Sequence, residues 1–318
     1  MLKEAIRGNR PHEYVIRRQM PLNAEQFTKP VRKLRKLLRK CRNVPTPDQI
    51  HNLRAQSRRV EATLQAVGSD QTKSGRRLLK SITPIRKRAG KVRDMDVLTE
   101  LASQLVMGNR TSDQRFGEAP VQLLQHLGRS RFGFAKRLEK VVASKRKSAL
   151  KRLKRFAHWT DRRLKRMGRP SAELARWQTD PTATAIYMSS SLAEWPRLDR
   201  ENLHAFRLRV KQLRYVLQLA SNPEGKLLDA LGSVKDAIGE WHDWCELETI
   251  TRQSIPGNDE FCDRIHSIAE DTFDRALTGA NQLRHEYFDG APEQHGRRRS
   301  RSMASKNPVL ISAAQMSA

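Results

Sequence analysis

The sequence predicts an all-α protein built from antiparallel helical bundles. Apolar residues recur at helical spacing through most of the 318 residues. Breakers stand between several of the periodic stretches: Pro45 and Pro47, Gly68, Gly108, Gly168 and Pro170, Pro181, Pro223 and Gly225, Pro256 and Gly257. No alternating Val/Ile/Thr clusters compete as strands.

The helices are expected at roughly 26–42, 48–66, 72–88, 92–106, 120–165, 183–194, 198–220, 225–240, 243–253 and 259–287. The 120–165 stretch reads as one long basic helix, with apolar residues at Leu138, Val142, Leu150, Leu153, Phe156 and Trp159. Short connections between the others favour antiparallel neighbours. The expected layout is an N-terminal extension over 1–19 and a helical domain over 20–290. That domain divides into halves at about 20–110 and 180–290, joined by a basic helical segment over 114–168. A disordered Ser/Arg-rich tail over 291–318 carries Arg297, Arg298, Arg299 and Arg301.

Charge narrows the function. Lys+Arg number 62 against 34 Asp+Glu, a formal net charge of +28. Such an excess repels itself and calls for a polyanionic partner: nucleic acid, an anionic membrane or a polyphosphate. It is unevenly placed. Residues 121–170 hold 17 basic and 2 acidic residues, whereas residues 221–290 hold 6 and 15. No run of about 18 apolar residues is present to span a membrane, and Met1 to Arg10 lack the apolar core of a secretory signal. Cys41, Cys245 and Cys262 are sparse and far apart, which suits a reducing compartment. The chain is therefore read as soluble and cytoplasmic.

A repeat is hidden in the sequence. His51-Asn-Leu-Arg54-Ala-Gln-Ser-Arg58-Arg59 aligns without a gap on His204-Ala-Phe-Arg207-Leu-Arg209-Val-Lys211-Gln-Leu-Arg214-Tyr215, at an offset of 153. Ile50, Leu53, Val60 and Leu64 match Leu203, Phe206, Leu213 and Leu217, one apolar helical face in each copy. His51, Arg54 and Arg58 form a second stripe about 100° round the helix, free to line a groove. A second pair follows at an offset of 149: Gly90-Lys-Val-Arg93-Asp94-Met-Asp96-Val-Leu98 against Gly239-Glu-Trp-His242-Asp243-Trp-Cys-Glu-Leu247.

These runs resemble the CHAD domain family, the conserved histidine α-helical domains, over about residues 20–290. The resemblance implies two pseudo-symmetric four-helix bundles around a basic central groove that binds inorganic polyphosphate, without catalysis and without a cofactor. Roles in polyphosphate metabolism or association with polyphosphate granules would follow. Carried over by position, the phosphate-binding residues are His51, Arg54, Arg58, Arg59 and Arg93 in the first half. In the second half they are His204, Arg207, Lys211, Arg214, Tyr215 and His242. Arg32, Arg35 and Arg39, with Arg86, Lys87 and Arg88, form a second tier. Two departures stand out: the second loop reads Trp-His-Asp-Trp-Cys, and Glu61 occupies the position matching Arg214. Many relatives look like fusions to a triphosphate tunnel domain with a Glu-x-Glu-x-Lys motif. The first 20 residues lack that motif, and Glu246-x-Glu248 is followed by Thr249-Ile250 within a helix.

The chemistry suits the reading. A phosphate chain offers closely spaced charge and no base edges, so many cationic donors along a path suffice. Arg supplies planar forks for phosphate oxygens and Lys mobile point charges. The matched histidines are read as hydrogen-bonded to a neighbouring carboxylate, Asp94 or Asp243, or as facing phosphate. A metal role is disfavoured, since no H-x-x-x-H spacing occurs and the acidic residues do not cluster in sequence. Asp94 and Asp243 are read as helix caps that also orient Arg or His, and Trp241 and Trp244 as packing residues. A nucleic-acid-binding basic protein is the alternative, against which stand the 6% aromatic content and the lack of a zinc finger or RNP signature.

Overall fold

The structure is a computed structural model that describes residues 24–41, 45–66, 69–108, 116–165, 184–219 and 224–288. The expected extension over 1–19, the end of the basic linker and the tail over 291–318 lie outside the described residues. Among the described residues there are eight α-helices and no strand. They are α1 Ala24–Lys40, α2 Pro47–Ala66, α3 Lys73–Gly108, α4 Ala119–Lys165, α5 over 184–193, α6 Leu203–Leu217, α7 Gly225–Ser254 and α8 Asp259–Tyr287.

Three apolar clusters hold these helices together. The first gathers Val31, Leu34 and Leu38 of α1, Ile50, Leu53, Val60 and Leu64 of α2, the front of α3, and Leu138, Val142 and Leu153 of α4. The second gathers Leu203, Phe206, Val210 and Leu213 of α6 with α5, the front of α7 and the back of α8. The third belongs to both halves. It packs Met95, Leu98, Leu123 and Leu127 against Trp244, Leu247, Phe261 and Ile265. All eight residues of the repeated apolar stripe are buried, as their spacing requires. Each such Leu or Ile contributes about 1.5–3 kcal/mol by leaving water.

Two helix boundaries differ from expectation. The stretches 72–88 and 92–106 form one helix, α3, and 225–240 and 243–253 form one helix, α7. Gly90 and Gly239 lie inside these helices and end neither. Conversely, the expected helix 198–220 starts only at Leu203. Before it, Asp199 Oδ1 accepts the backbone N–H groups of Glu201 (3.0 Å) and Asn202 (2.9 Å), a local turn that competes with helix.

The basic helix α4 packs on α3 and α1, and its start also meets α7. Its Arg146 is structural: Nε donates to the Leu38 carbonyl at 2.6 Å and Nη2 to the Arg39 carbonyl at 3.1 Å, satisfying the end of α1. The halves meet where α2 packs against α6 and α3 against α7. That seam holds the repeated polar stripes. No helix of the described residues is long and apolar enough to cross a membrane.

Candidate functional site

The stripes reach the seam because the apolar faces of α2 and α6 are committed to their own bundles. Arg54, Arg58, Arg207, Lys211, Arg214 and Tyr215 are half-buried there, and His51 and Arg59 are exposed.

The two helices present matching arrangements. Arg54 of α2 lies over Gly90 of α3, with Nε 3.7 Å from where a β-carbon would stand. Arg207 of α6 lies over Gly239 of α7, with Nη2 2.5 Å from the corresponding point. Only a glycine admits the Arg207 guanidinium so close to the helix backbone. Its Nε donates to the Lys235 carbonyl at 2.9 Å, which fixes the fork. Arg214 repeats the arrangement two turns further on. It lies against Gly232 and donates to the Leu228 carbonyl at 3.2 Å.

Cations from both halves converge on Lys211. Burial, first, and then the charges of Arg58, Arg207, Arg54 and Lys235 push its amine down to about 7. Arg58 is lowered for the same reasons, by burial and then by Arg54 and Arg86. Arg207 is lowered by burial, against the opposing pull of Asp243. The Tyr215 phenol acts on both Arg58 and Arg207, so it too stands at the seam. The Nε atoms of Arg54 and Arg58 are buried with no protein acceptor. A buried donor left unpaired costs about 1–3 kcal/mol, so this region favours an anionic acceptor.

The histidines follow the same pairing. His51, although exposed by area, loses part of its hydration among its neighbours, which lowers it below 6.5, helped by Arg93 and Arg54. Burial lowers His204, helped by His242 and Arg207. The His204 and His242 rings lie 4.5 Å apart, and His204 Nδ1 has no protein partner. Arg93 thus acts on His51, and His242 on His204. The aspartate partners expected for the histidines are corrected: Asp94 sits 3.8 Å from Arg54 Nη2, and Asp243 sits 3.9 Å from His242. Neither aspartate caps a helix, because both lie in helix interiors.

Asp94, Asp243 and Glu246 form an acidic margin to this basic region. Burial raises Asp94 and Glu246, and the carboxylates of this margin raise them further. Donor atoms of His242, Asp243 and Glu246 lie within 4.8 Å of one another, a grouping that sequence reasoning missed although His242 and Glu246 stand at i and i+4 of one helix, and one whose donors suit a divalent cation. Trp241 and Trp244 are buried in packing.

The second-tier residues divide. Arg86 pairs with Glu61 at 3.0 Å, so the carboxylate standing in place of Arg214 serves to hold an arginine. Arg35 is half-buried, and its Nε has no protein partner. Lys87 and Arg88 are exposed on α3, and Arg32 and Arg39 on α1, which packs on α2 and α4. Lys235 was missed by sequence reasoning. It stands 149 residues after Arg86, so the second repeat offset would have found it.

The model of the CHAD domain family matches residues 25–252. The chain belongs to the CHAD domain family. This CHAD domain resembles two solved structures in fold. PptA from Streptomyces chartreusis is 15% identical with a TM-score of 0.64, covering 87% of this chain and 100% of its own. The CHAD domain from the plant Ricinus communis is 16% identical with a TM-score of 0.57, covering 84% of this chain and 92% of its own. No curated protein matches the chain.

Proposed function

We propose that this CHAD domain binds inorganic polyphosphate, without catalysis, along the seam between its halves. The observation that carries the reading is Lys211, which lies half-buried at the seam with its amine held down first by burial and then by four cations drawn from both halves. A phosphate chain laid beside it would relieve that repulsion, and would offer acceptors to the buried Nε donors of Arg54 and Arg58. Arg54, Arg58, Arg207 and Lys211 form the centre of the site. His51, Arg59, Arg93, His204, Arg214, Tyr215 and His242 flank them. The remaining basic candidates, Arg32, Arg35, Arg39, Arg86, Lys87 and Arg88, supply longer-range field.

The polymer is favoured over nucleic acid because the four central residues are guanidinium forks and an ammonium point charge, with no aromatic ring among them for a base to stack on. A cytoplasmic place, and association with polyphosphate granules, fit the same reading. The test is a competition titration over a salt series, with labelled polyphosphate displaced by duplex DNA or RNA at matched charge. Polyphosphate is expected to be displaced weakly by either nucleic acid. Equal displacement would favour a general polyanion binder.

A further inference from the structure

A second cationic cleft lies away from the seam. Lys73, Ser74 and Arg77, at the start of α3, face Arg152 and Arg155 of α4 across an open cleft. Four of its five liners are cations and none is acidic. The cleft is built, since the Arg152 guanidinium is anchored by donating to the Arg77 carbonyl, which sets its charge between the two helices. A neighbouring cleft shares Arg155 and continues along α4 to His158 and Arg162. At 100° per residue, Arg155, His158 and Arg162 fall on one face of α4. The start of α3 adds the positive end of its dipole.

This flank is separate from the seam. Arg77 and Arg93 are 16 residues apart on α3, about 24 Å along its axis and about 160° round it. Arg86 lies about 180° from Arg77. The flank cations therefore point away from the side of α3 that meets α2 and the seam.

We propose that this flank is a second docking track for phosphate chain, used by a long polyphosphate whose other part occupies the seam. The inference rests on the polyphosphate reading above. Two cationic tracks on one rigid body make long-chain binding bivalent. The second contact then forms at high effective concentration and strengthens binding without any new contact in the seam. Tripolyphosphate is too short to bridge about 24 Å of helix and gains nothing from the flank.

The test compares tripolyphosphate and long-chain polyphosphate on the wild type and on the triple variant Lys73→Ala, Arg77→Ala, Arg155→Ala. All three residues are exposed, and circular dichroism would check that the fold is kept. The variant is expected to lose roughly tenfold in long-chain affinity while tripolyphosphate affinity stays unchanged. Unchanged long-chain affinity would overturn the flank and leave the seam reading standing. Equal losses for both ligands would also overturn it, since the flank would then not act as a separate track. Failure of the wild type to bind either ligand would overturn both readings.

Discussion

The Arg207 guanidinium lies so close to Gly239 that a β-carbon there would stand 2.5 Å from Nη2. Arg54 and Gly90 form the matching pair with more room, at 3.7 Å. The two glycines therefore answer differently to the same change. Alanine in a helix interior is intrinsically better than glycine by about 1 kcal/mol. Gly90→Ala meets ordinary van der Waals contact, so it is expected to raise the melting temperature by a few degrees and leave polyphosphate affinity intact. Gly239→Ala must displace Arg207 from its bond to the Lys235 carbonyl. It is expected to weaken polyphosphate binding roughly tenfold, the worth of one charge-assisted contact, with little gain in melting temperature. Thermal melts and binding isotherms on the two variants check the contrast.

Lys211 couples binding to protons. Its folded amine titrates near 7, well below the 10.5 of a free lysine. A polyanion beside it restores the ordinary value, so binding at pH 8 is expected to take up a proton. Calorimetry in two buffers of different ionisation enthalpy reads this directly, and identical heats would count against it. The stability sign runs the other way in the free protein. Because the folded value is depressed, charging Lys211 destabilises the fold, in full below about 7 and progressively less as pH rises to 10.5. Lys211→Met is thus expected to raise the melting temperature at pH 6 while lowering polyphosphate affinity.

The histidines add a second pH dependence on the acid side. His51 and His204 both titrate below 6.5 in the free protein, held down by partial desolvation and by neighbouring cations. Bound phosphate would favour their charged forms, so affinity is expected to rise as pH falls from 7 towards 5. The double variant His51→Asn, His204→Asn should flatten that rise in a fluorescence titration. A rise of the same size in the variant would assign the effect to other groups.

Salt reads the number of contacts. Counterion release makes the logarithm of affinity fall linearly with the logarithm of salt, by about 0.7–0.9 for each phosphate neutralised. Removing Arg58 or Lys211 should lower that slope by nearly one, whereas removing Arg146, which serves α1 carbonyls, should leave the slope alone. Equal slopes for all three variants would place the phosphate contacts elsewhere.

Much of the fold was legible because burial leaves a period. The stripes Ile50–Leu64 and Leu203–Leu217 are buried as their spacing requires, and the long helix over 120–165 appears as α4. The breaks expected between 88 and 92 and between 240 and 243 do not occur. Gly90 and Gly239 lie within continuous helices, where each admits an arginine from a neighbouring helix, a reason that lives in packing and leaves no local mark. The capping reading of Asp94 and Asp243 failed for the same cause, since helix continuity removes the free N–H groups a cap would serve. The repeat found the matched cations, but their partners come from helix-to-helix contacts. Asp94 meets Arg54 instead of His51, and Lys235, which the second offset matches to Arg86, joins Lys211.

The most direct measurement is the affinity of tripolyphosphate for the wild type and for the seam variant Arg54→Ala, Arg207→Ala, Lys211→Met, at fixed pH and salt. With each charge-assisted contact contributing about 1.5–3 kcal/mol, a loss of at least 100-fold is expected. An affinity equal to that of the wild type, in a variant that melts cooperatively, would contradict a phosphate site at the seam.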